Sequence, residues 1–145
     1  MTEAVLPDPK TAFGRRVRRR LRDERVVWLT TVGADGTPQP NPVWFLWQAK
    51  SADHVLVYSR ADSHKLKHVS QRSRVSLNFD SDGDDGDIVV LTGDARIAAD
   101  VPSAPENPAY LRKYADEADE IRGDVSTGDA QSVALWIRIT KVRGF

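Results

Sequence analysis

The chain has 145 residues, of which 40% are hydrophobic and 29% charged, and its basic and acidic side chains balance to a formal net charge of zero. This length fits one ordinary domain of roughly 100 to 200 residues, and no apolar run approaches the roughly 18 residues that a membrane span needs. The absence of cysteine excludes disulfides, thiolate metal sites and a cysteine nucleophile.

The N-terminal segment, MTEAVLPDPK, lacks the basic start and apolar core of a secretory signal. We therefore expect a cytoplasmic protein. Because the composition is that of a soluble globular chain, we also predict a single domain over residues 1–145.

A basic helix is the first predicted element and falls within residues 1–25. Residues 14–25, GRRVRRRLRDER, contain seven arginines. Apolar residues recur there at every fourth position, namely Phe13, Val17 and Leu21. This period predicts a narrow apolar stripe beneath a basic face. Nucleic acid is one possible partner of such a helix, but acidic residues interrupt the run and no recognition motif follows, so we expect no nucleic-acid partner.

In residues 26–100 the hydrophobic pattern changes to the short apolar runs that are typical of strands. Residues 26–32 are rich in β-branched and aromatic side chains, which favours a strand. The sequence GADG at 33–36 is typical of a turn, and residues 38–48 form a second extended run. Together they predict a hairpin. Further strands are predicted at 55–58, 75–79, 88–92 with 94–97, and 133–143, and helices at 63–70 and 104–122. At least six short strands with few helices favour a small antiparallel barrel.

One predicted strand, NPVWFLW at 41–47, bears on assembly because it is apolar at almost every position. A barrel interior can bury only one alternate set of its residues, so the other set, Trp44 and Leu46, needs a helix, a cofactor or a second subunit as cover. Pro40 and Pro42 indicate an edge or a strand entry. From these features we infer a homodimer.

The stretch YSRADSHKLKHV, residues 58–69, follows a predicted strand and combines basic, hydroxyl and imidazole side chains. If Asp62 or Ser63 caps the short helix, the free N–H groups of its first turn form an anion site in outline. At 100° per residue, Lys65 and Lys67 lie on opposite flanks of that helix. Lys65, in the first turn, is the better phosphate candidate, whereas Lys67 reaches a neighbouring group or lies in solvent.

Four segments then occur in a particular order: LTTVGADGTPQPNPVWF, LVYSRADSHKLKHV, RVSLNF and the strand TGDA at 92–95. In this order they resemble the flavin-binding split-barrel relatives of pyridoxamine phosphate oxidase, most closely the actinobacterial branch that uses the deazaflavin coenzyme F420. The resemblance covers roughly residues 24–100, and a weaker resemblance is present at the C-terminus. It implies a six-stranded antiparallel split β-barrel and a homodimer with cofactor sites at the subunit interface. It also implies hydride transfer to or from the cofactor ring.

The resemblance also implies the binding residues. The family's phosphate-binding segment falls on Tyr58, Ser59, Arg60, Ser63, Lys65 and Lys67. Its segment beside the cofactor ring falls on Asn41, Pro42, Val43 and Trp44. The family usually needs no dedicated acid or base because the cofactor carries the chemistry, and we name no catalytic residue.

The preferred cofactor is coenzyme F420, and flavin mononucleotide (FMN) is the alternative. The deazaflavin carries a longer anionic tail than FMN, and a longer basic track would suit it. Arginines of the N-terminal helix would extend the track if that helix packs beside the site: Arg15, Arg16, Arg18 and Arg19. We therefore predict an F420-dependent oxidoreductase that acts on an organic, conjugated acceptor.

Two further alternatives remain open. One is an FMN-dependent oxidoreductase of the pyridoxamine phosphate oxidase-like class. The other is a non-catalytic flavin or haem carrier, for which His54, His64 or His68 would supply an axial ligand. His64 and His68 are four residues apart, but they lack a carboxylate partner and lie among cations, so no metal site is predicted.

Overall fold

The computed structural model describes residues 5–84, 86–123 and 133–145. Within these ranges the helices are α1 (Ala12–Asp23), α2 (His64–Gln71), α3 (Pro108–Lys113) and α4 (Ala118–Gly123). The strands are β1 (Val26–Val32), β2 (Pro38–Trp44), β3 (Leu46–Trp47), β4 (His54–Ser59), β5 (Arg74–Asn78), β6 (Val89–Ala98) and β7 (Val133–Gly144). No helix in the described ranges is both long and apolar enough to cross a membrane.

The strands form one antiparallel sheet in the order β2-β1-β5-β6-β7-β4-β3. Only Phe45 separates β2 from β3, and these two strands stand at opposite ends of that order. The two ends of the sheet are therefore one broken strand, and the sheet curls into a barrel. Counted in this way it has six strands, which confirms the predicted six-stranded antiparallel split barrel.

Two helices close the ends of the barrel. Val17 and Leu21 of α1 are 0% and 1% exposed, and Leu66 and Val69 of α2 enter the same core. The apolar stripe that the arginine-rich segment predicts is therefore buried. β1 starts just after α1 and runs for seven residues towards α2, a distance of about 20 Å at about 3.3 Å per residue. The two helices consequently lie at opposite ends of the barrel.

The arginine-rich helix docks on the acidic loop between β5 and β6. Arg20 is 7% exposed, and its guanidinium donates to the carbonyl oxygens of Asp80 at 2.6 Å and Asp87 at 2.9 Å. Arg16 pairs with the Asp87 carboxylate at 2.8 Å. The basic helix and the acidic loop are thus joined through Arg16 and Arg20, which both pair with the Asp87 carboxylate.

The predicted helix over 104–122 is instead a series of short helical segments. A 3-10 turn at Ala104–Glu106 precedes α3, and another at Ala115–Glu117 separates α3 from α4. Tyr114 leaves helical geometry, with φ −111° and ψ 47°, and this breaks the helix. These segments cover the outer face of β3, β4 and β7.

This helical layer bears on the homodimer inference. Leu46 lies in the cluster that includes Tyr110 and Tyr114, and the Trp44 ring stacks on Tyr114 with centroids 4.6 Å apart. The second apolar set of the NPVWFLW strand is therefore covered within the chain. The homodimer remains a prediction from the family resemblance. The need to cover Trp44 and Leu46 no longer supports it.

The break between β2 and β3 is held by two residues at the end of α3. The Tyr114 hydroxyl accepts from the Phe45 N–H at 2.9 Å and lies 2.7 Å from the Arg25 carbonyl oxygen. Lys113 Nζ donates to the Phe45 carbonyl at 2.9 Å and lies 3.5 Å from the centroid of the Phe45 ring. Burial, followed by the nearby Arg25 charge, lowers the pKa of Lys113 to about 7.

We expect Lys113 to make stability depend on pH. Between about pH 7 and its unfolded pKa, the unfolded state binds a proton that the folded state does not, so the free energy of unfolding rises with pH in this window. Lys113→Met is expected to remove this rise. Urea unfolding of both proteins at pH 6.5, 8 and 9.5 measures it, and parallel pH profiles would contradict the prediction.

Candidate functional site

A polar cavity of about 320 Å³ lies where the β1–β2 hairpin meets the loop after β4 and the start of α2. Its lining residues are Thr31, Gln39, Asn41, Arg60, Asp62, Ser63, His64, Lys65 and His68. The lining holds two cations, two imidazoles and one carboxylate. Because positive charge predominates and N–H and O–H donors converge, the cavity suits an anion such as a phosphate.

The β2 strand contributes alternate residues to the cavity. Asn41 and Gln39 line it, whereas Val43 packs against the core and Trp44 packs against the helical layer. Pro42 is exposed and belongs to the Trp44 face, since successive side chains of a strand point to opposite sides. The predicted segment of four consecutive residues therefore contributes only Asn41. Gln39 was missed, although a period of two from Asn41 would have pointed to it.

Tyr58 and Ser59, at the end of β4, also point to opposite sides. The Tyr58 hydroxyl donates to the Pro102 carbonyl at 2.6 Å and accepts from Asn107 Nδ2 at 3.0 Å, so this side chain belongs to the helical layer and lies outside the cavity. Ser59 is 4% exposed, and its Oγ has no hydrogen-bond partner among the described residues. Ser59 is not among the residues that line the cavity.

We expect Tyr58→Phe to separate stability from ligand binding. The variant removes a hydroxyl that joins β4 to the loop before α3, and we expect the free energy of unfolding to fall by about 1 kcal/mol. Because Tyr58 lies outside the cavity, we expect cofactor affinity to remain unchanged. Chemical unfolding measures the loss of stability, and cofactor titration measures the affinity. A loss of affinity at constant stability would show that Tyr58 contributes to the binding site.

The start of α2 places its two lysines differently. Lys65 is half-buried in the cavity, where its Nζ donates to Ser63 Oγ at 3.1 Å and burial lowers its pKa. Lys67 is exposed and lies outside the cavity. Arg60 pairs with Asp62 at 3.2 Å at the cavity rim. Of the residues implied by the resemblance, the fold thus brings together Asn41, Arg60, Ser63 and Lys65.

Two histidines of α2 join this group. His64 and His68 both line the cavity, and His68 Nδ1 lies 2.9 Å from the Thr31 hydroxyl. Their spacing of four residues puts them on one helix face beside Lys65, so the helical period is the signal that could have identified them. Among the described residues, no group of three or more potential metal-ligating side chains converges.

The arginines of α1 lie elsewhere. Arg15, Arg16, Arg18, Arg19 and Arg22 line an open groove of about 590 Å³. This groove is at the α1 end of the barrel, whereas the cavity is at the α2 end. The extension of the basic track that the sequence suggested therefore does not occur within one chain, because α1 packs on the acidic loop instead.

A further open groove of about 560 Å³ lies on the opposite face of the β1–β2 hairpin. It is lined in part by Trp28, Pro40, Asn78 and Arg143. The first five residues of β2 are exposed, so this strand presents an uncovered edge. In the described part of the chain, the hairpin thus has the polar cavity on one face and an open groove with both polar and apolar lining on the other.

A split antiparallel barrel with a cation-lined cavity where its first hairpin meets the start of α2 defines the class of flavin-binding split barrels. The chain belongs to the pyridoxamine 5'-phosphate oxidase family, whose model matches residues 13–145. Members of this family are mostly flavin-binding oxidoreductases.

Solved structures support the same fold. An F420 reductase is 19% identical with a TM-score of 0.61, covering 86% of this chain and 94% of its own. A conserved hypothetical protein from Mycobacterium tuberculosis is 18% identical with a TM-score of 0.67, covering 99% and 88%. An FAD-binding protein from Mesorhizobium loti is 22% identical with a TM-score of 0.56, covering 87% of each chain. A comparison with curated proteins gave no match.

Proposed function

We propose that this protein is an oxidoreductase that binds coenzyme F420 and transfers a hydride between the reduced coenzyme and an organic, conjugated acceptor. The observation that carries the proposal is the cation-lined cavity at the start of α2, with Lys65 half-buried in it. The F420 preference rests on the family branch that the sequence resembles, and the likeness to an F420 reductase is consistent with it.

The donor set fits the phosphate group of such a cofactor. Lys65 and Arg60 supply charge, and Ser63 supplies a hydroxyl beside the Lys65 ammonium. Charge-assisted hydrogen bonds of this kind are the strong ones in anion recognition.

Each part of the chain then has a defined task. Lys65 and Arg60 hold the anion, and binding competes with the Arg60–Asp62 ion pair. The amides of Gln39 and Asn41 face the same cavity from β2 and orient the neighbouring part of the ligand. The bound cofactor supplies the hydride chemistry, so the protein contributes binding and orientation.

We also propose that the protein is a homodimer with the cofactor at the subunit interface. The exposed residues of β2 and the open groove beside Trp28 support this, because a second chain packed there would cover them. Size-exclusion chromatography with light scattering tests it. A monomer at micromolar concentration, with cofactor bound, would overturn it.

A second candidate is an FMN-dependent oxidoreductase, and one observation favours it. The α1 arginines lie at the far end of the barrel, so within one chain the cations at the cavity match a single phosphate rather than an extended anionic tail. FMN carries one terminal phosphate. The structure of one chain therefore offers F420 no additional basic track.

Equilibrium binding of the cofactor-free protein to F420 and to FMN, followed by cofactor fluorescence, separates these candidates. Tighter binding of F420, with oxidation of the reduced coenzyme by quinones or unsaturated carbonyl compounds, supports the proposal. Tighter binding of FMN supports the second candidate. Binding without turnover of any acceptor indicates a carrier, and binding of neither cofactor overturns both oxidoreductase proposals.

A further inference from the structure

We infer that His68 donates a hydrogen bond from Nε2 to the phosphate bound in the cavity, and that Thr31 holds the ring in place through its other nitrogen, Nδ1. The inference rests on the proposed function, because the phosphate is that of the cofactor. It adds one residue of α2 and one residue of β1 to the binding set that the resemblance implies.

The position of His68 carries the first step. On a helix with 100° per residue, His68 projects between His64 and Lys65, and all three residues line the cavity. Leu66 and Val69 turn the other side of α2 into the core. The imidazole is thus fixed on the cavity side, next to the half-buried lysine.

Thr31 holds the ring from the barrel. It is 1% exposed, and its Oγ1 lies 2.9 Å from His68 Nδ1. Thr31 occupies an inward position near the end of β1, with Leu29 as the preceding inward residue. The contact therefore ties the side chain of α2 to a rigid strand.

The hydroxyl of Thr31 can pair with Nδ1 in each protonation state of the ring, because it can either donate or accept. When it donates to Nδ1 of the neutral imidazole, the ring proton is on Nε2. When the ring is protonated, Nδ1–H donates to Thr31 and Nε2 again carries a proton. Only the neutral Nδ1–H form leaves a lone pair on Nε2, and a phosphate oxygen would repel it. Phosphate binding therefore selects the forms with Nε2–H.

The surroundings of Nε2 leave room for a ligand. A Cβ built on Gly33 would lie 3.6 Å from His68 Nε2 and 3.1 Å from Gln39 Nε2, so the lack of a side chain at Gly33 keeps this corner open. The Asp35 carboxylate is engaged by the Thr37 N–H at 3.0 Å. Among the described residues, His68 Nε2 has no hydrogen bond, and the nearest charged lining groups of α2 and its preceding loop are cationic except for Asp62.

FMN and riboflavin differ only in the phosphate, so the ratio of their dissociation constants measures the phosphate contribution. His68→Phe keeps a ring but removes the donor. We expect the affinity for FMN to fall about tenfold or more, as for a lost hydrogen bond to a charged group, while the affinity for riboflavin stays the same. His68→Gln retains an N–H donor and should show a smaller loss. His54→Phe is the matched control, because His54 stacks on Trp136 and lies outside the cavity.

Thr31→Val keeps the β-branched shape and removes the hydroxyl. We expect a smaller loss of FMN affinity, and no additional loss when it is combined with His68→Phe, because the two residues act through one hydrogen bond. Nitrogen NMR of the His68 ring supplies a direct signature. With phosphate bound, the wild type should show the proton on Nε2 and a hydrogen-bond shift of that nitrogen, and this shift should be smaller in Thr31→Val, where the ring is less firmly held.

An unchanged ratio of the FMN and riboflavin dissociation constants in His68→Phe would overturn the inference, whether neither affinity falls or both fall equally. Thermal unfolding of each variant excludes a folding defect as the cause. If the wild type binds neither flavin nor F420, the proposed function fails, and a titration with inorganic phosphate then decides the inference alone. A phosphate-dependent shift of His68 Nε2 in that titration supports it, and the lack of a shift overturns it.

Discussion

Lys65→Met is expected to weaken the binding of FMN and F420 by about ten- to a hundredfold, whereas Lys67→Met should leave both affinities within about twofold. The Lys65 ammonium lies half-buried in the cavity beside Ser63, and a hydrogen bond to a charged group contributes about 1.5–3 kcal/mol. Lys67 is two residues away, exposed and outside the cavity. Both variants remove one charge from the same short helix. The difference between their affinities therefore measures the effect of the position of the lysine at equal net charge.

Fluorescence titration at two salt concentrations measures this pair. A surface lysine acts only through a screened field, so any effect of Lys67→Met should vanish at high salt, while the loss in Lys65→Met should persist. Riboflavin, which lacks the phosphate, should bind all three proteins equally. Equal effects of the two lysine variants would show that the helix attracts anions only by its overall charge, and the assignment of the cavity would then fail.

Tyr114→Phe is expected to reduce the free energy of unfolding by about 2 kcal/mol and the melting temperature by about 4 to 10 °C. The variant keeps the ring that stacks on Trp44 at 4.6 Å. It removes the hydroxyl that accepts from the Phe45 N–H and lies within hydrogen-bond distance of two carbonyls. A buried N–H left without an acceptor costs more than the average hydrogen bond.

The same measurement on Tyr58→Phe supplies the comparison. The Tyr58 hydroxyl donates to the carbonyl of Pro102, an exposed loop residue that water can reach, and accepts from the side chain of Asn107. Its loss therefore leaves no backbone N–H without an acceptor. We therefore expect the loss in Tyr114→Phe to be clearly greater than that in Tyr58→Phe. If the two variants lose the same stability, the break between β2 and β3 is not held by Tyr114, and other contacts of Phe45 keep the strand in place.

Much of the fold follows from short-range pattern. The hairpin around the turn at 33–36, the short helix after β4 and the strand runs depend on residues close together in the chain, and their periods of two and 3.6 are visible without any tertiary contact. The different environments of Lys65 and Lys67 follow in the same way from helical geometry. Gln39 could have been predicted in the same way, because it is two residues from Asn41 on one strand.

Other features depend on which elements meet. The sequence showed that Trp44 and Leu46 need cover, but only the packed structure assigned that cover to the helical layer. The arginine-rich helix was expected beside the site, yet its contacts with Asp80 and Asp87 hold it at the other end of the barrel. The helix over 104–122 breaks at Tyr114 because that side chain serves the Phe45 backbone.

The sequence by itself determined the barrel class, the family and the lysine that faces the anion cavity, because local periodicity and an ordered series of segments suffice for these. Only the tertiary structure decided that Thr31, 37 residues before His68, orients that imidazole, and that Tyr58 serves the helical layer instead of the cavity. The physical reason is that a side chain's hydrogen-bond partners depend on long-range packing, which no local period encodes.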